Sequence, residues 1–241
     1  MNLQRNTEML KAVIFDVDGT LAETEEVHRA AFNAVFEQVG LDWHWSSDVY
    51  RELLKVTGGK ERLRHYVQVE GLEPLEEDAL AGMHRLKTAM YAELLPSTVA
   101  LRPGVSRLIQ ACIANSIQLG IATTTTEANV DALAQAVSPH LPLSAFDAVM
   151  GGTRVPEKKP NPAVYLAALD ALGIGPQEAI AIEDAEAGVI AACEAGIRCI
   201  ASPSMYTVSH DLTRAEVIIP HLDDRGDGQP VTLEWLAGFL S

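Results

Sequence analysis

From residue 101 to residue 201, short apolar runs and helical stretches follow one another in alternation, and few folds accept that pattern. A helix opened by Pro103 runs to about residue 114. Residues 117–123 then read as a strand, 127–137 as a helix and 146–150 as a short strand. The next helix has Asn161 at its N-cap, Pro162 at its first helical position and Gly173 just past its end, the expected capping asymmetry. Residues 179–183 follow as a strand, 186–195 as a helix stopped by Gly196, and 197–201 as a last strand. Ahead of all these, the β-branched and aromatic run from Val13 to Phe15 supplies a buried strand. Strands joined through helices are parallel, and a parallel sheet must be covered on both faces. The chain is therefore of α/β class, with ligands expected at the carboxyl ends of its strands.

Residues 23–95 break the alternation. Thr24 reads as an N-cap with Glu25 and Glu26 in the first turn, and Val27, Ala30, Ala31, Ala34, Val35 and Val39 recur at helical spacing up to Gly40. Residues 53–69 and 75–95 are further helical stretches, with Gly58-Gly59 and residues 71–74 as breaks. No run in this part alternates with a period of two.

The chemistry-bearing residues stand at the strand ends. The first strand delivers Asp16 and Asp18, followed at once by Gly19. Two close carboxylates need a counterion, and oxygen ligands beside a turn suit a hard cation such as Mg²⁺. A solvated Asp-x-Asp-Gly turn closing a hairpin fits the same residues. The strand ending at residue 123 delivers the Thr123 hydroxyl, with Thr124 beside it, just before a helix start. Residues 179–183 lead to Glu183 and Asp184, which also fit a solvated loop pair, and Lys159, with Lys158 as competitor, precedes the 161–162 helix start. Carboxylates holding a cation, a hydroxyl with helix-terminal N–H groups, and one lysine together make a site for a phosphate dianion.

Charge and cysteine usage narrow the setting. A net charge of −15 repels nucleic acid and anionic membrane surfaces, so an anionic substrate needs a local basic site. Cys112, Cys193 and Cys199 form no CxxC pair, which points to a reducing cytoplasm. The first ten residues carry Arg5 and Glu8 but no apolar signal region, and no run approaches the roughly 20 apolar residues of a membrane span. The histidines show no HExxH or paired ligand spacing, which argues against zinc.

Asp16-Val17-Asp18-Gly19-Thr20, Thr123, Lys159-Pro160 and Glu183-Asp184, in this order, resemble the four motifs of the haloacid dehalogenase superfamily of phosphohydrolases. Within it the chain is similar to the beta-phosphoglucomutase-like subgroup. The stretches Thr57-Gly58-Gly59-Lys60-Glu61-Arg62 and 123–129 look like the CbbY-like sugar phosphatases, which remove a phosphate from xylulose-1,5-bisphosphate, an inhibitor of Rubisco in the Calvin cycle. The resemblance implies a Rossmann-like core of residues 1–22 and 96–241 with an inserted helical cap of residues 23–95. It implies Asp16 as nucleophile and Mg²⁺ ligand, Asp18 as general acid/base and ligand through its carbonyl, and Asp184 as the remaining protein ligand. Thr123 or Thr124 and Lys159 would bind phosphate, with Glu183 behind them. Ala185 follows the acidic pair where many relatives have Ser, and Thr123 stands where related mutases often have Ser.

In the cap, Lys55, Lys60, Arg62 and Arg64 face the single acid Glu61, either as a solvated helix face or as a second anion site that Lys87 joins. His28 sits where the subgroup's cap faces the site, as a packing or hydrogen-bonding residue rather than a catalyst. The expectation is a monomeric, cytoplasmic Mg²⁺-dependent phosphatase of a small phosphorylated sugar, binding neither nucleic acid nor membrane. The alternatives are a phosphomutase with the same covalent chemistry and a catalytically silent phosphosugar-binding regulator.

Overall fold

The computed structural model describes residues 9–95 and 99–240. The segment carrying Arg5 and Glu8, and the expected second core boundary at residue 96, lie outside the described residues. Strands β1 (Ala12–Phe15), β2 (Gln118–Ala122), β3 (Ala148–Met150), β4 (Ala179–Glu183), β5 (Arg198–Ala201) and β6 (Val217–Ile218) form one sheet. Its order is β3-β2-β1-β4-β5-β6, and every neighbouring pair is parallel. Strand β1 is therefore central, with Phe15 in register with Ile121 on one side and Ile182 on the other. All the strands consequently end at the same edge.

Side-chain alternation divides the sheet into two unlike faces. Val13, Phe15, Ile121, Ile180 and Ile182 point to one face, where they pack with helices α5 (Val105–Ala114), α6 (Glu127–Ala136) and α9 (Leu233–Ala237). Ala12, Ile14, Ala179, Ala181 and Cys199 point to the other, beneath α7 (Ala163–Leu172) and α8 (Glu186–Glu194). Small residues let those two helices lie close to the strands. The same alternation carries Glu183 to the α7 side at the end of β4.

Among the described residues, four helices intervene between β1 and α5: α1 (Glu25–Gln38), α2 (Ser47–Leu53), α3 (Gly59–Val69) and α4 (Glu77–Leu94). They enclose a separate apolar cluster of Phe32, Phe36, Trp45, Tyr50, Leu63 and Met83, into which Tyr206 projects from the loop after β5.

Several local expectations shift. The break expected at Gly58-Gly59 is present, since Gly58 adopts φ +89° and α3 starts at Gly59, but Leu53, expected to open the 53–69 stretch, instead ends α2. Helix α2 went unseen in the sequence, although Ser46 caps it by accepting the Val49 N–H. Asn161 is not the N-cap of α7; Pro162 takes that place, and Asn161 Oδ1 accepts the Ala163 N–H one step earlier. Gly173 ends α7 in the left-handed region, as the pattern required. Strand β6 has only two residues, too few to show a period.

Candidate active site

Where β1 ends, Asp16 meets Glu183 and Asp184 from the end of β4, with one carboxylate oxygen of each within 4.8 Å of the others and all three residues buried. Lys159 Nζ, also buried, donates to Asp16 Oδ1 and to Glu183 Oε1, at 2.6 Å each. The Tyr165 hydroxyl on α7 donates to the same Glu183 oxygen at 2.6 Å. Asp184 Oδ2 accepts from Thr207 Oγ1 at 3.0 Å. Such crowding needs glycine on two sides. A Cβ on Gly19, whose φ is +83°, would lie 2.2 Å from Asp184 Oδ2, and one on Gly188 would lie 2.1 Å from the Glu183 carboxylate.

Three buried carboxylates face a single ammonium group, and the protonation of Asp16 and Asp184 shows the imbalance. Burial pushes the Asp16 carboxyl up to about 8, with Lys159 opposing the rise and Glu183 adding to it. Burial, with repulsion from Asp16 and Glu183, also pushes Asp184 well up. Lys159 is held above its ordinary value because the two carboxylates outweigh its own burial. A cluster made only of hard oxygens, short of positive charge, fits a divalent cation of the Mg²⁺ kind.

Asp18 has a different environment. Its Oδ1 accepts from Thr24 Oγ1 and lies 2.9 Å from His28 Nε2. Thr24 occupies the N-cap position of α1, yet its side chain makes no capping bond and serves Asp18 instead. Lys87 Nζ on α4 contacts His28 Nδ1, and because an ammonium can only donate, Nδ1 accepts and His28 Nε2 carries the proton toward Asp18. His28 also stacks on Tyr91 with ring centroids 4.2 Å apart. Burial raises the Asp18 carboxyl, but His28, Thr24 and Lys87 together outweigh it and hold the group well below the usual carboxylate range. Lys87, buried, is itself lowered to about 8.

The third wall comes from β2 and α6. Thr123 is buried directly after β2, its N–H donating to Met150 O and its Oγ1 accepting from the Thr125 N–H. Thr124 lines the cavity beside it. Thr126 caps α6 by accepting the Asn129 N–H, and both residues line the same cavity as the carboxylates. Together these walls enclose a cavity of about 100 Å³, lined also by Arg62, His84, Asn129 and His210.

Of the basic residues expected on the cap, Arg62, Lys87 and His28 reach the cavity. Arg62 is buried, donating from one guanidinium nitrogen to the Tyr50 hydroxyl at 2.9 Å and from Nε to Leu53 O at 3.2 Å, with its Cζ 5.1 Å from the Tyr50 ring centroid. Lys60 does not line the cavity. Arg64 points outward to Glu77 at 2.7 Å, and exposed Lys55 pairs with Glu52. Lys158 is turned to the Gly152 and Val155 carbonyls, leaving Lys159 as the lysine of the site.

Sequence reasoning passed over His84, Thr57, Tyr165, Thr207 and His210. His84 was accessible, since it lies one turn before Lys87 on α4; burial and then the nearby Lys87, Lys60 and Lys158 charges lower it to about 4. Thr57, whose hydroxyl donates to the Lys159 carbonyl, joins the site only through tertiary packing, as do Tyr165 and Thr207.

Comparison with known proteins places this geometry among relatives. The haloacid dehalogenase-like hydrolase profile matches residues 13–202. The chain is 48% identical over 214 residues to CbbY from Rhodobacter capsulatus, covering 88% of this chain and 94% of that protein. A crystal structure of a mutant CbbY from Rhodobacter sphaeroides in complex with xylulose-(1,5)-bisphosphate superposes with a TM-score of 0.84 at 41% identity, covering 92% of this chain and 100% of that one. Beta-phosphoglucomutase from Clostridium difficile, with a TM-score of 0.77, 22% identity and coverage of 96% and 97%, shares the fold.

Proposed function

Because the chain belongs to the haloacid dehalogenase-like hydrolase family, we propose that it is a Mg²⁺-dependent sugar-phosphate phosphatase that removes one phosphate from xylulose-1,5-bisphosphate through an aspartyl-phosphate on Asp16. The observation that carries this reading is the meeting of Asp16, Lys159, Glu183 and Asp184 in one buried cluster beside a separately polarised Asp18. The CbbY structure with xylulose-(1,5)-bisphosphate supports the substrate.

An Asp16 oxygen would attack phosphorus, forming the Asp16–phosphate bond as the ester bond to the sugar oxygen breaks. Lys159 and the Thr123 hydroxyl bind and orient the phosphoryl oxygens. Asp16, Asp184 and the Asp18 carbonyl would hold Mg²⁺, which supplies charge neutralisation at the phosphoryl oxygens. Asp18 gives a proton to the leaving sugar oxygen, then takes one from the water that hydrolyses the aspartyl-phosphate. Without substrate His28 and Thr24 keep Asp18 ionised, as its second task requires; an arriving phosphate dianion favours its protonated form for the first.

Residues 23–95 act as the cap over a core of residues 1–22 and 96–241, and the basic wall of Arg62 and Lys87 takes the second phosphate of a bisphosphate. Removing a Rubisco inhibitor in the cytoplasm would be the physiological task. A phosphate-release assay over sugar mono- and bisphosphates, with Mg²⁺ and with EDTA, tests the reading. Steady release from a ketose bisphosphate without an activator is expected; release that is unaffected by exhaustive chelation, or sugar isomers formed without phosphate, would refute it.

A further inference from the structure

His210 stands in the loop after β5, a few residues past Thr207, which holds Asp184. Its Nδ1 accepts the backbone N–H of Glu186, the first residue of α8, at 3.3 Å. That bond decides the tautomer: with a lone pair required at Nδ1, the neutral ring carries its proton on Nε2. The Nε2 atom is shut off from solvent and has no partner in the protein, yet the ring lines the reaction cavity. A donor left buried and unpaired is costly, and because the ring lines the cavity, a small shift that opens Nε2 to it would let a bound molecule supply the missing acceptor. The neighbours do not supply one. Glu25 is engaged by the Tyr50 hydroxyl at 2.8 Å, and Glu52 pairs with Lys55.

We propose that His210 is a specificity residue whose Nε2–H donates to a hydroxyl or carbonyl oxygen of the sugar chain, away from the transferred phosphoryl group. Charge selects that class of acceptor. Glu25, Glu52 and Glu186 act on the ring electrostatically and Lys55 opposes them, a setting that disfavours a phosphate dianion and suits a neutral oxygen. The phosphates have their own partners in Lys159 at one end and Arg62 and Lys87 at the other. The inference rests on the sugar-phosphate reading of this cavity and adds to it which atom of the protein reads the sugar.

A second role for the ring, accepting the N–H at the start of α8, must be separated from this one. His210→Asn keeps an acceptor where Nδ1 was and loses the donor; His210→Gln reaches the Nε2 position with an amide N–H and loses the acceptor. Steady-state kinetics on xylulose-1,5-bisphosphate and on p-nitrophenyl phosphate, which lacks sugar oxygens, distinguish them. His210→Asn should raise KM for the sugar phosphate roughly fivefold more than for the aryl phosphate, with kcat changed less, the loss expected for one neutral hydrogen bond. His210→Gln should recover most of that affinity while melting at a lower temperature. A His210→Asn enzyme with wild-type KM, or variants that raise both KM values in proportion, would overturn the inference alone. Failure of the wild-type protein to release phosphate from any sugar phosphate would overturn the underlying reading and the inference with it.

Discussion

A carboxylate attacks phosphorus only when ionised, and Asp16, raised by burial to about 8, is the residue whose state most depends on the cations around it. Lys159 alone does not bring it back, because the same ammonium is shared with Glu183. Asp16→Asn keeps the shape and removes the proposed nucleophile, so phosphate release should fall by more than about 100-fold, on the order of 3 kcal/mol of barrier, in protein shown by mass spectrometry to be undeamidated. Asp18→Asn loses the proposed proton carrier instead, and a fall of about 10² to 10⁴ is expected in single-turnover rates; a rate equal to wild type would move the role to His28. The sequence displayed both aspartates, Thr123, Lys159 and the Glu183-Asp184 pair because each stands at or just past a strand end or shortly before a helix start. It could not display Tyr165 or Thr207, whose bonds to Glu183 and Asp184 follow from where α7 and the loop after β5 fold back.

Helix α3 shows how an element sorts a run of like charges. Lys60, Arg62 and Arg64 are close in sequence, but at about 100° per residue they cannot share one face. Arg62 turns inward to Tyr50, while Arg64 turns outward to Glu77. The cationic cluster read along the chain is thus one buried guanidinium between a half-buried Lys60 and an exposed Arg64, with Lys87 from α4 lining the same cavity. Arg62→Ala should therefore erode a preference for bisphosphate over monophosphate by roughly tenfold in kcat/KM, about 1.4 kcal/mol, and Lys60→Ala far less. Equal effects of the two substitutions would return the second phosphate site to the outer face. Strands and long helices were legible because their periods repeat. Helix α2, strand β6 and helix α9 are too short for that, whereas the break at Gly58 was legible because paired glycines admit the positive φ it adopts.

At the scale of the molecule, a chain of net charge −15 folds so that its central strands deliver carboxylates to one buried point, where Lys159 balances only part of their charge. Without metal, Asp16 has a folded pKa of about 8 against an ordinary 3.8, and Asp184 is shifted the same way. Between those values the native state binds more protons than the unfolded chain, so stability falls as pH rises. His84, lowered to about 4, has the opposite slope until its ordinary 6.5 is passed, so the fall is cleanest above that pH. In EDTA the melting temperature should drop from pH 6.5 to 7.5 by roughly 3 °C, the equivalent of about 1.4 kcal/mol for one proton. Mg²⁺ in place of those protons should raise the melting temperature, and by more at pH 7.5 than at 6.5, since fewer protons then compete for Asp16 and Asp184. Asp184→Asn removes a repelling carboxylate and a ligand at once. It should melt higher than wild type in EDTA, show a flatter pH dependence and gain little from Mg²⁺. A variant that melts lower than wild type in EDTA, or that gains as much from Mg²⁺, would mean that the three carboxylates are not built around a metal.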